Sequence, residues 1–175
     1  MSDRERLFFA LWPSEALRKQ LVNETRRGLR SCGGRPVPFS NIHLTLVFLG
    51  SVSRRQRECL ENAAESVEVN PFALELQRWE YWRRPRVVGC RPAEIPDALE
   101  GLVTQLRVSA KACGVDVESR PFTPHVTLMR KAQRGPHIPL HEPLHWPVVE
   151  FSLVRSQTLP EGAHYESVGT WGLHG

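Results

Sequence analysis

The tetrapeptide pattern His-x-Thr-x occurs in each half of this chain, beginning at His43 and again at His125. An imidazole has an ordinary pKa of about 6.5, so histidine can either give or take a proton near neutral pH. The hydroxyls of Thr45 and Thr127 can donate hydrogen bonds to oxygen atoms that gain charge during a reaction. Two such pairs facing each other would combine an acid and a base with two hydrogen-bond donors.

Strand geometry would place each histidine beside its threonine. Side chains alternate between the two faces of a strand, so His43 and Thr45 emerge on one face, about 6.6 Å apart along it. Leu44 and Leu46 then point into a core, and the same phasing holds from His125 onward. A lone histidine on a strand is usually structural, but packing alone does not explain a matched pattern in two halves. The repeat therefore predicts two related halves whose histidines share one cleft.

Hydrophobic periodicity predicts alternating helices and strands along the chain. Apolar residues at helical spacing follow the capping residues Ser14 and Ser53 and also follow Pro96, with Gly114 as a stop signal. Apolar runs or alternation predict strands at residues 7–11, 41–49, 72–77, 87–90, 115–118, 124–130, 148–156 and 165–168. The fold class is therefore α+β with much antiparallel sheet. Because no linker divides the chain, we expect residues 1–175 to form a single domain.

Composition excludes several classes of protein. The 175 residues are 41% hydrophobic and 24% charged, which excludes a disordered or collagen-like chain. No apolar run approaches the roughly 18 residues of a membrane helix, and the run that ends at Pro13 is too short for a signal peptide. We therefore expect a cytoplasmic protein without a membrane partner. Cys32, Cys59, Cys90 and Cys113 stand far apart without a C-x-x-C pair, which predicts four free thiols.

The charge balance permits an anionic partner. The net charge is +4, and arginine rather than lysine dominates the 23 basic residues. Arginine is the better planar partner for phosphate. Arginines cluster within residues 26–30, 54–57 and 83–86. Each cluster can attract a polyanion such as RNA or can simply form a solvated surface, and composition does not decide between these roles.

Aromatic residues near the motifs are further candidates for substrate contact. Phe48 follows His43 with the opposite strand phase, so we expect it in the core rather than against a nucleobase. Trp12, Trp79 and Trp82 are candidates for stacking on a base, because aromatic residues interleaved with arginine suit single-stranded RNA ends. Packing within the protein is the alternative for each of these tryptophans.

A second histidine group competes with the motifs. His137, His141 and His145 are spaced by four, and on a helix they would form one face suited to a metal ion. Prolines between them exclude that helix. We therefore expect an extended connection in this segment and no metal site.

Several segments together carry a family resemblance. They include the apolar start at residues 6–11, the two motif regions at 43–50 and 120–130, and the C-terminal segments at 151–156 and 165–171. In these segments the chain resembles the 2H phosphoesterase superfamily, and within it the LigT-like RNA 2′,3′-cyclic phosphodiesterases, once described as 2′-5′ RNA ligases. The resemblance implies two pseudo-symmetric lobes of antiparallel sheet with outer helices around a central cleft.

The resemblance also implies a reaction and roles for the motif residues. RNA ends that carry a 2′,3′-cyclic phosphate would be hydrolysed to 2′-phosphomonoesters without a metal or a cofactor. His43 would be the proton donor to the leaving oxygen, and His125 would be the proton acceptor that activates water. Thr45, Thr127 and Arg130 would bind the phosphate.

Two other functions use the same residues. The first is the reverse reaction, in which an RNA end with a 5′-hydroxyl is joined through a 2′-5′ linkage. The second is a non-catalytic module that binds RNA or a nucleotide, although binding alone does not require a matched acid and base. A small cyclic nucleotide is an alternative substrate to RNA, and we expect the protein to act as a monomer.

Overall fold

The computed structural model describes residues 3–175. Its three α-helices are α1 (Glu15–Gly28), α2 (Arg54–Glu65) and α3 (Asp97–Ala112). Ser14 caps α1 by accepting a hydrogen bond from the Leu17 amide at 3.2 Å, and Ser53 with Gln56 forms a capping box at the start of α2. The sequence signals for these two helix starts are therefore confirmed.

Within residues 3–175, nine β-strands form one antiparallel sheet. They are β1 (Arg4–Leu11), β2 (Arg35–Pro36), β3 (Leu44–Ser53), β4 (Phe72–Trp82), β5 (Val87–Pro92), β6 (Val126–Arg130), β7 (Leu144–Val148), β8 (Glu150–Leu159) and β9 (Gly162–Gly172). Eight of them follow the order β7-β4-β5-β6-β3-β1-β8-β9, and β2 pairs with β6 outside this path. The predicted α+β class with substantial antiparallel sheet is confirmed.

The strand order divides the sheet into two matching halves. Strands β6 and β3 meet at the centre, and each is followed outward by three further strands. The two halves join through a single residue pair, Leu44 opposite Val126. These residues directly follow the two motif histidines in sequence. The seam of the sheet is therefore also the place where both His-x-Thr-x segments begin.

The helices cover the sheet on its core face. Helix α1 packs against β6 and β7 of the second half, whereas α2 and α3 pack against β3 and against each other. The buried stripes Leu17 and Leu21 of α1 and Leu99, Leu102 and Leu106 of α3 join one hydrophobic core with the inward residues of the strands. Because α1 precedes β3 in the chain but covers β6 and β7, whereas the later helix α3 covers β3, the halves are interleaved along the chain.

Two strand predictions need correction. Residues 115–118 have no regular secondary structure, although Val115 is buried as its apolar pattern suggests. These residues pair with no strand of the sheet among the described residues, so alternation alone did not produce a strand. In the C-terminal part, strand β7 (Leu144–Val148) precedes β8 and pairs with β4. The sequence pattern predicted only one strand here, at residues 148–156.

The prediction of four free thiols is wrong for two of the cysteines. Cys59 of α2 and Cys113 at the end of α3 form a disulfide, with their Cα atoms 5.7 Å apart. Their sequence separation of 54 residues hides the fact that the two helices lie side by side. Cys32 and Cys90 are free thiols, as predicted, and both are buried.

Helices long and apolar enough to cross a membrane are absent from the described part of the chain.

Candidate active site

The two motif histidines lie at the seam of the sheet. His43 directly precedes β3 and His125 directly precedes β6, so both begin the strands that pair through Leu44 and Val126. In an antiparallel pair, one residue further on one strand faces one residue earlier on the other. The register therefore sets His43 opposite Thr127 and Thr45 opposite His125. All four side chains belong to the same side of the sheet.

Each imidazole is oriented by a backbone carbonyl two residues earlier. Nδ1 of His43 lies 2.6 Å from the carbonyl oxygen of Asn41, and Nδ1 of His125 lies 2.9 Å from that of Thr123. A carbonyl oxygen only accepts hydrogen bonds, so Nδ1 must carry the proton and donate in both rings. The proton-exchanging nitrogen of each neutral ring is therefore Nε2.

The two Nε2 atoms differ in their partners. Nε2 of His43 lies 2.9 Å from the Thr45 hydroxyl, which can donate to the neutral ring or accept from the protonated ring. Among the described residues, Nε2 of His125 has no hydrogen-bonding partner. The lone pair of neutral His125 is therefore not bonded to a donor of the described protein, as a base that takes a proton from water requires.

A cleft of about 890 Å³ contains both motifs. His43, Thr45, His125, Thr127 and Arg130 all line it, so the structure brings together all five residues proposed from the sequence. Residues from both halves contribute to its wall; others are Arg6, Phe8, Phe48, Trp82, Arg84, Glu118, Arg120, Ser156, Thr158 and Tyr165. Three of these additional residues are arginines, and together with Arg130 they make the cleft suited to an anionic ligand.

Aromatic rings surround His43. Phe8, Trp12 and Tyr165 place their ring centroids 5.1, 5.4 and 5.2 Å from that of the imidazole. Phe8 and Tyr165 were not among the candidates from sequence, because Phe8 reads as one residue of a buried strand and Tyr165 lies far away in the chain. Tyr165 reaches the site through the pairing of β9 with β8 and of β8 with β1.

The tryptophan candidates have different positions. Trp82 lines the cleft and lies against His125, with ring centroids 4.7 Å apart. Trp12 lies against His43 and donates a hydrogen bond from Nε1 to the Ser167 hydroxyl at 3.0 Å. Trp79 instead packs against the backbone of α1, where a Cβ atom added to Gly28 would come within 3.1 Å of its ring. Only Trp12 and Trp82 therefore contact the motif histidines.

The expectation that Phe48 lies in the core is wrong, because its side chain is 61% exposed and lines the cleft. The reason is a register shift between β1 and β3: Phe9 faces Val47 and the next residue, Ala10, faces Thr45. Leu46 is the extra residue of β3, so Leu46 and Val47 are both buried. From Phe48 onward the alternation of side chains between the two faces is therefore reversed. Phe48 consequently emerges on the same side as Thr45.

The same irregularity recurs in the second motif and places Arg130. Val88 of β5 faces Met129, whereas the next residue, Gly89, faces Thr127, so Leu128 is the extra residue. Leu128 and Met129 are both buried. Strict alternation from His125 would have directed Arg130 away from the cleft, and the register shift turns it toward the cleft. Arg130 therefore occupies the position in β6 that Phe48 occupies in β3.

The surroundings of His43 disfavour its charged form. Burial is the largest cause that lowers its pKa, the hydrogen bond to the Asn41 carbonyl opposes this change, and the positive charges of Arg130, His125 and Arg18 also lower it, so that the pKa is about 4. In the unliganded protein His43 is therefore neutral at pH 7. A bound anion would offset the neighbouring positive charges and raise this pKa.

The pKa of His125 is also lowered, mainly by burial. The hydrogen bond to the Thr123 carbonyl opposes this change, while the charges of Arg91 and Arg130 add to it. Arg130 thus acts on both imidazoles. A neutral His125 is consistent with a base that accepts a proton.

The competing histidine group does not form a cluster. His137 and His141 lie in a segment without regular structure, whereas His145 belongs to β7 and its Nδ1 is hydrogen-bonded to the carboxylate of Glu75 in β4. Within residues 3–175, no three His, Cys, Asp or Glu side chains come together as metal ligands would. Residues 131–143 are not helical, as the prolines predict, but they contain bends rather than a continuous extended strand.

Known protein families provide an independent comparison. The family model described as LigT like phosphoesterase matches residues 11–90 and, a second time, residues 88–165. The first match contains the His-x-Thr-x motif at His43, and the second contains the motif at His125. The internal repeat is therefore visible in the family model as well as in the sheet.

Individual proteins agree with the family match. The RNA 2′,3′-cyclic phosphodiesterase of Escherichia coli is 34% identical over 175 residues, which is 99% of each chain. The crystal structure of E. coli LigT in apo form has 33% identity and a TM-score of 0.93, covering 99% of this chain and 100% of that one. The structure of E. coli LigT complexed with 3′-AMP has a TM-score of 0.91, with 33% identity over 97% of this chain and 98% of the other.

Proposed function

This chain belongs to the LigT like phosphoesterase family, and we infer that it is an enzyme that hydrolyses the 2′,3′-cyclic phosphate at the end of RNA. The observation that carries the mechanism is the pair of imidazoles at the seam, each with Nδ1 fixed on a carbonyl and Nε2 directed into one cleft. Opening the cyclic phosphate requires one group that takes a proton and another that gives one. The two halves supply one such group each.

We propose specific roles for the two histidines. Nε2 of His125 takes a proton from the attacking water, whose oxygen forms the new bond to phosphorus. The bond between phosphorus and O3′ breaks, and the leaving O3′ receives the proton from Nε2 of His43. The product is a 2′-phosphomonoester with a free 3′-hydroxyl. The free Nε2 of His125 supports its role as the base. Because the lowered pKa of His43 leaves its ring neutral in the unliganded protein, the acid becomes protonated only when the anionic substrate binds and raises this pKa.

Three further side chains stabilise the phosphate in this proposal. The hydroxyls of Thr45 and Thr127 and the guanidinium of Arg130 line the same cleft as the imidazoles. They donate to the non-bridging oxygens, on which charge grows as water attacks. The similar E. coli LigT forms a complex with the nucleotide 3′-AMP, which supports a nucleotide ligand for this protein.

The test is the product formed from a short RNA with a 2′,3′-cyclic phosphate end. We expect a terminal 2′-phosphate, and activity that persists in EDTA because the imidazoles perform both proton transfers. A 3′-phosphate product would show that the substrate lies in the opposite orientation. Loss of activity that a divalent ion restores would overturn the metal-independent mechanism. Ligation in the reverse direction would use the same groups, and no observation favours it over hydrolysis.

The roles of the two histidines require a separate test. A substrate with sulfur in place of O3′ has a leaving group that needs no proton. On this substrate we expect His43→Ala to regain much of its lost rate and His125→Ala to remain inactive. Recovery of His125→Ala instead would reverse the assignment.

A further inference from the structure

A second cavity adjoins the turn between β4 and β5. We call it the distal cavity, to distinguish it from the catalytic cleft. It measures about 580 Å³, and its lining residues are Tyr81, Arg83, Arg86, Gln133, Arg134 and Gly135. Three of these six residues are arginines, and none is acidic. The distal cavity therefore has the electrostatic character of a site for anions.

One turn forms part of the wall of both cavities. Arg84 and Pro85 line the catalytic cleft, whereas Arg83 and Arg86 line the distal cavity. Tyr81 and Trp82, the last two residues of β4, likewise divide between the two cavities. A ligand that extends beyond the catalytic cleft across this turn consequently meets the distal cavity next.

The backbone around the distal cavity is held in place. The Arg86 guanidinium donates from Nε to the Ala132 carbonyl at 3.2 Å and from Nη2 to the Lys131 carbonyl at 3.1 Å. The Ala132 amide returns a hydrogen bond to the Arg86 carbonyl at 2.9 Å, and the Gln133 amide bonds the Cys32 carbonyl at 2.7 Å. Arg83 and Arg134, which both line the cavity, therefore extend from a fixed backbone.

Three arginines of the other two sequence clusters are neutralised by carboxylates within the protein. Arg27 pairs with Glu24, and both Arg54 and Arg57 pair with carboxylates on α2. Within residues 3–175, the side chains of Arg83, Arg84 and Arg134 form no ion pair or hydrogen bond. Their positive charge is thus not neutralised within the described protein.

We propose that the distal cavity binds backbone phosphates of the RNA strand upstream of the cyclic phosphate. This proposal rests on the function proposed above. A cyclic phosphate terminates the 3′ end of RNA, so all the remaining backbone lies on its 5′ side and must leave the catalytic cleft. The RNA strand crosses the turn between β4 and β5 past Arg84 and reaches Arg83 and Arg134. The enzyme therefore prefers oligoribonucleotides to mononucleotide cyclic phosphates.

The test compares two substrates, adenosine 2′,3′-cyclic phosphate and a short oligoribonucleotide with a 2′,3′-cyclic phosphate end. In the double variant Arg83→Ala/Arg134→Ala we expect kcat/KM on the oligonucleotide to fall about tenfold or more. Its dependence on salt should weaken by about 1.4 in the log–log slope, since two contacts to a single strand are lost. Activity on the mononucleotide should stay within about twofold, because neither residue lines the catalytic cleft.

A matched double variant, Arg26→Ala/Arg55→Ala, removes the same charge from exposed positions on α1 and α2. It should leave both substrates nearly unaffected. An equal loss on both substrates with Arg83→Ala/Arg134→Ala, no loss on the oligonucleotide, or an equal loss with the matched variant would overturn the distal site. Failure of the wild-type protein to hydrolyse either substrate would instead overturn the proposed function.

Discussion

His43 and His125 occupy matching positions but have different surroundings. Three aromatic rings enclose His43 and its Nε2 bonds the Thr45 hydroxyl, whereas His125 lies against Trp82 and its Nε2 is open toward the cleft. The two copies of one motif have therefore diverged locally. In our mechanism this difference separates the acid from the base.

Removing either histidine should disable the reaction. We expect His43→Ala and His125→Ala each to lower kcat by about 10²–10⁴-fold, because each removes one of two coupled proton transfers. The double variant should be little worse than either single variant, because both groups act in one step. His145→Ala, which removes an exposed histidine outside the cleft, is the control. Strictly multiplicative losses would contradict a joint role.

The pH dependence should follow from the lowered pKa values of both histidines. The active form has one neutral and one protonated imidazole, and at pH 7 the free enzyme has both neutral. As the pH falls, the fraction that carries one proton rises and then declines when both rings are protonated. The bell-shaped profile of kcat/KM should therefore have its maximum below about pH 6.5.

The profile of kcat should lie at higher pH than that of kcat/KM. It reports the complex with substrate, in which the phosphate anion raises the pKa of both rings. Rate measurements from pH 4 to 9 on a mononucleotide cyclic phosphate separate the two profiles. A maximum of kcat/KM on the alkaline side of neutrality would contradict the effect of burial. The apparent pKa values belong to the coupled pair rather than to either ring.

At the scale of elements, the register shifts in β3 and β6 decide which side chains enter the cleft. One extra residue in each strand places Phe48 and Arg130 on the face that strict alternation assigns to the core. In each strand the extra residue, Leu46 or Leu128, is the third residue after the motif histidine. The cleft therefore gains an apolar ring from one half and a positive charge from the other.

Arg130 should influence both the rate and its pH dependence. We expect Arg130→Gln to lower kcat/KM about 10–100-fold through loss of phosphate stabilisation. Its charge lowers the pKa of both imidazoles, so the remaining activity should peak at a higher pH. Arg35→Gln removes the same charge from the residue that faces Arg130 in the sheet but does not line the cleft, and it should change neither quantity much. A lowered rate with an unmoved profile would argue against the electrostatic effect.

The disulfide between α2 and α3 gives a direct chemical prediction. Protein purified and unfolded without reductant should take up alkylating reagent at Cys32 and Cys90 but not at Cys59 or Cys113. After reduction all four should react. Mass spectrometry counts the added groups, and four reactive thiols without reductant would show that the helices are not cross-linked.

At the scale of the whole molecule, the cleft exists only where the two halves meet. The residues that we propose bind phosphate come from β3 and β6, which pair through one residue pair, while interleaved helices cover both halves. A ligand in the cleft therefore contacts both halves at once. Binding should stabilise the entire fold, since ligand binding to the native state shifts the folding equilibrium.

Thermal unfolding with and without a 2′-nucleotide product measures this effect. At about 100 times Kd the stabilisation is about 2.7 kcal/mol, which predicts a rise in Tm of about 5–10 °C. Thr45→Ala and Thr127→Ala, one from each half, should each reduce the rise at the same ligand concentration. Thr104→Ala, at an exposed position of α3, should retain it. A rise that depended on only one of the two motif threonines would contradict a shared phosphate site.

Local patterns in the sequence were sufficient for much of this molecule. The helix starts at Ser14 and Ser53, the antiparallel strands and the doubled motif all depend on residues close together in the chain. Such signals act through backbone propensity and side-chain alternation, which operate over a few residues. The family and the phosphodiesterase function predicted from these segments are confirmed by the family match and by relatives along the full chain.

The tertiary structure decided what depends on partners far apart in sequence. The exposure of Phe48 and the direction of Arg130 follow from the strands that pair beside them, and the Cys59–Cys113 disulfide follows from the packing of α2 on α3. The same holds for the ring of Tyr165 against His43 and for the distal cavity at Arg83 and Arg134. Strand alternation predicts a side chain's face only while the register is regular, and an extra residue set by a neighbouring strand reverses that face.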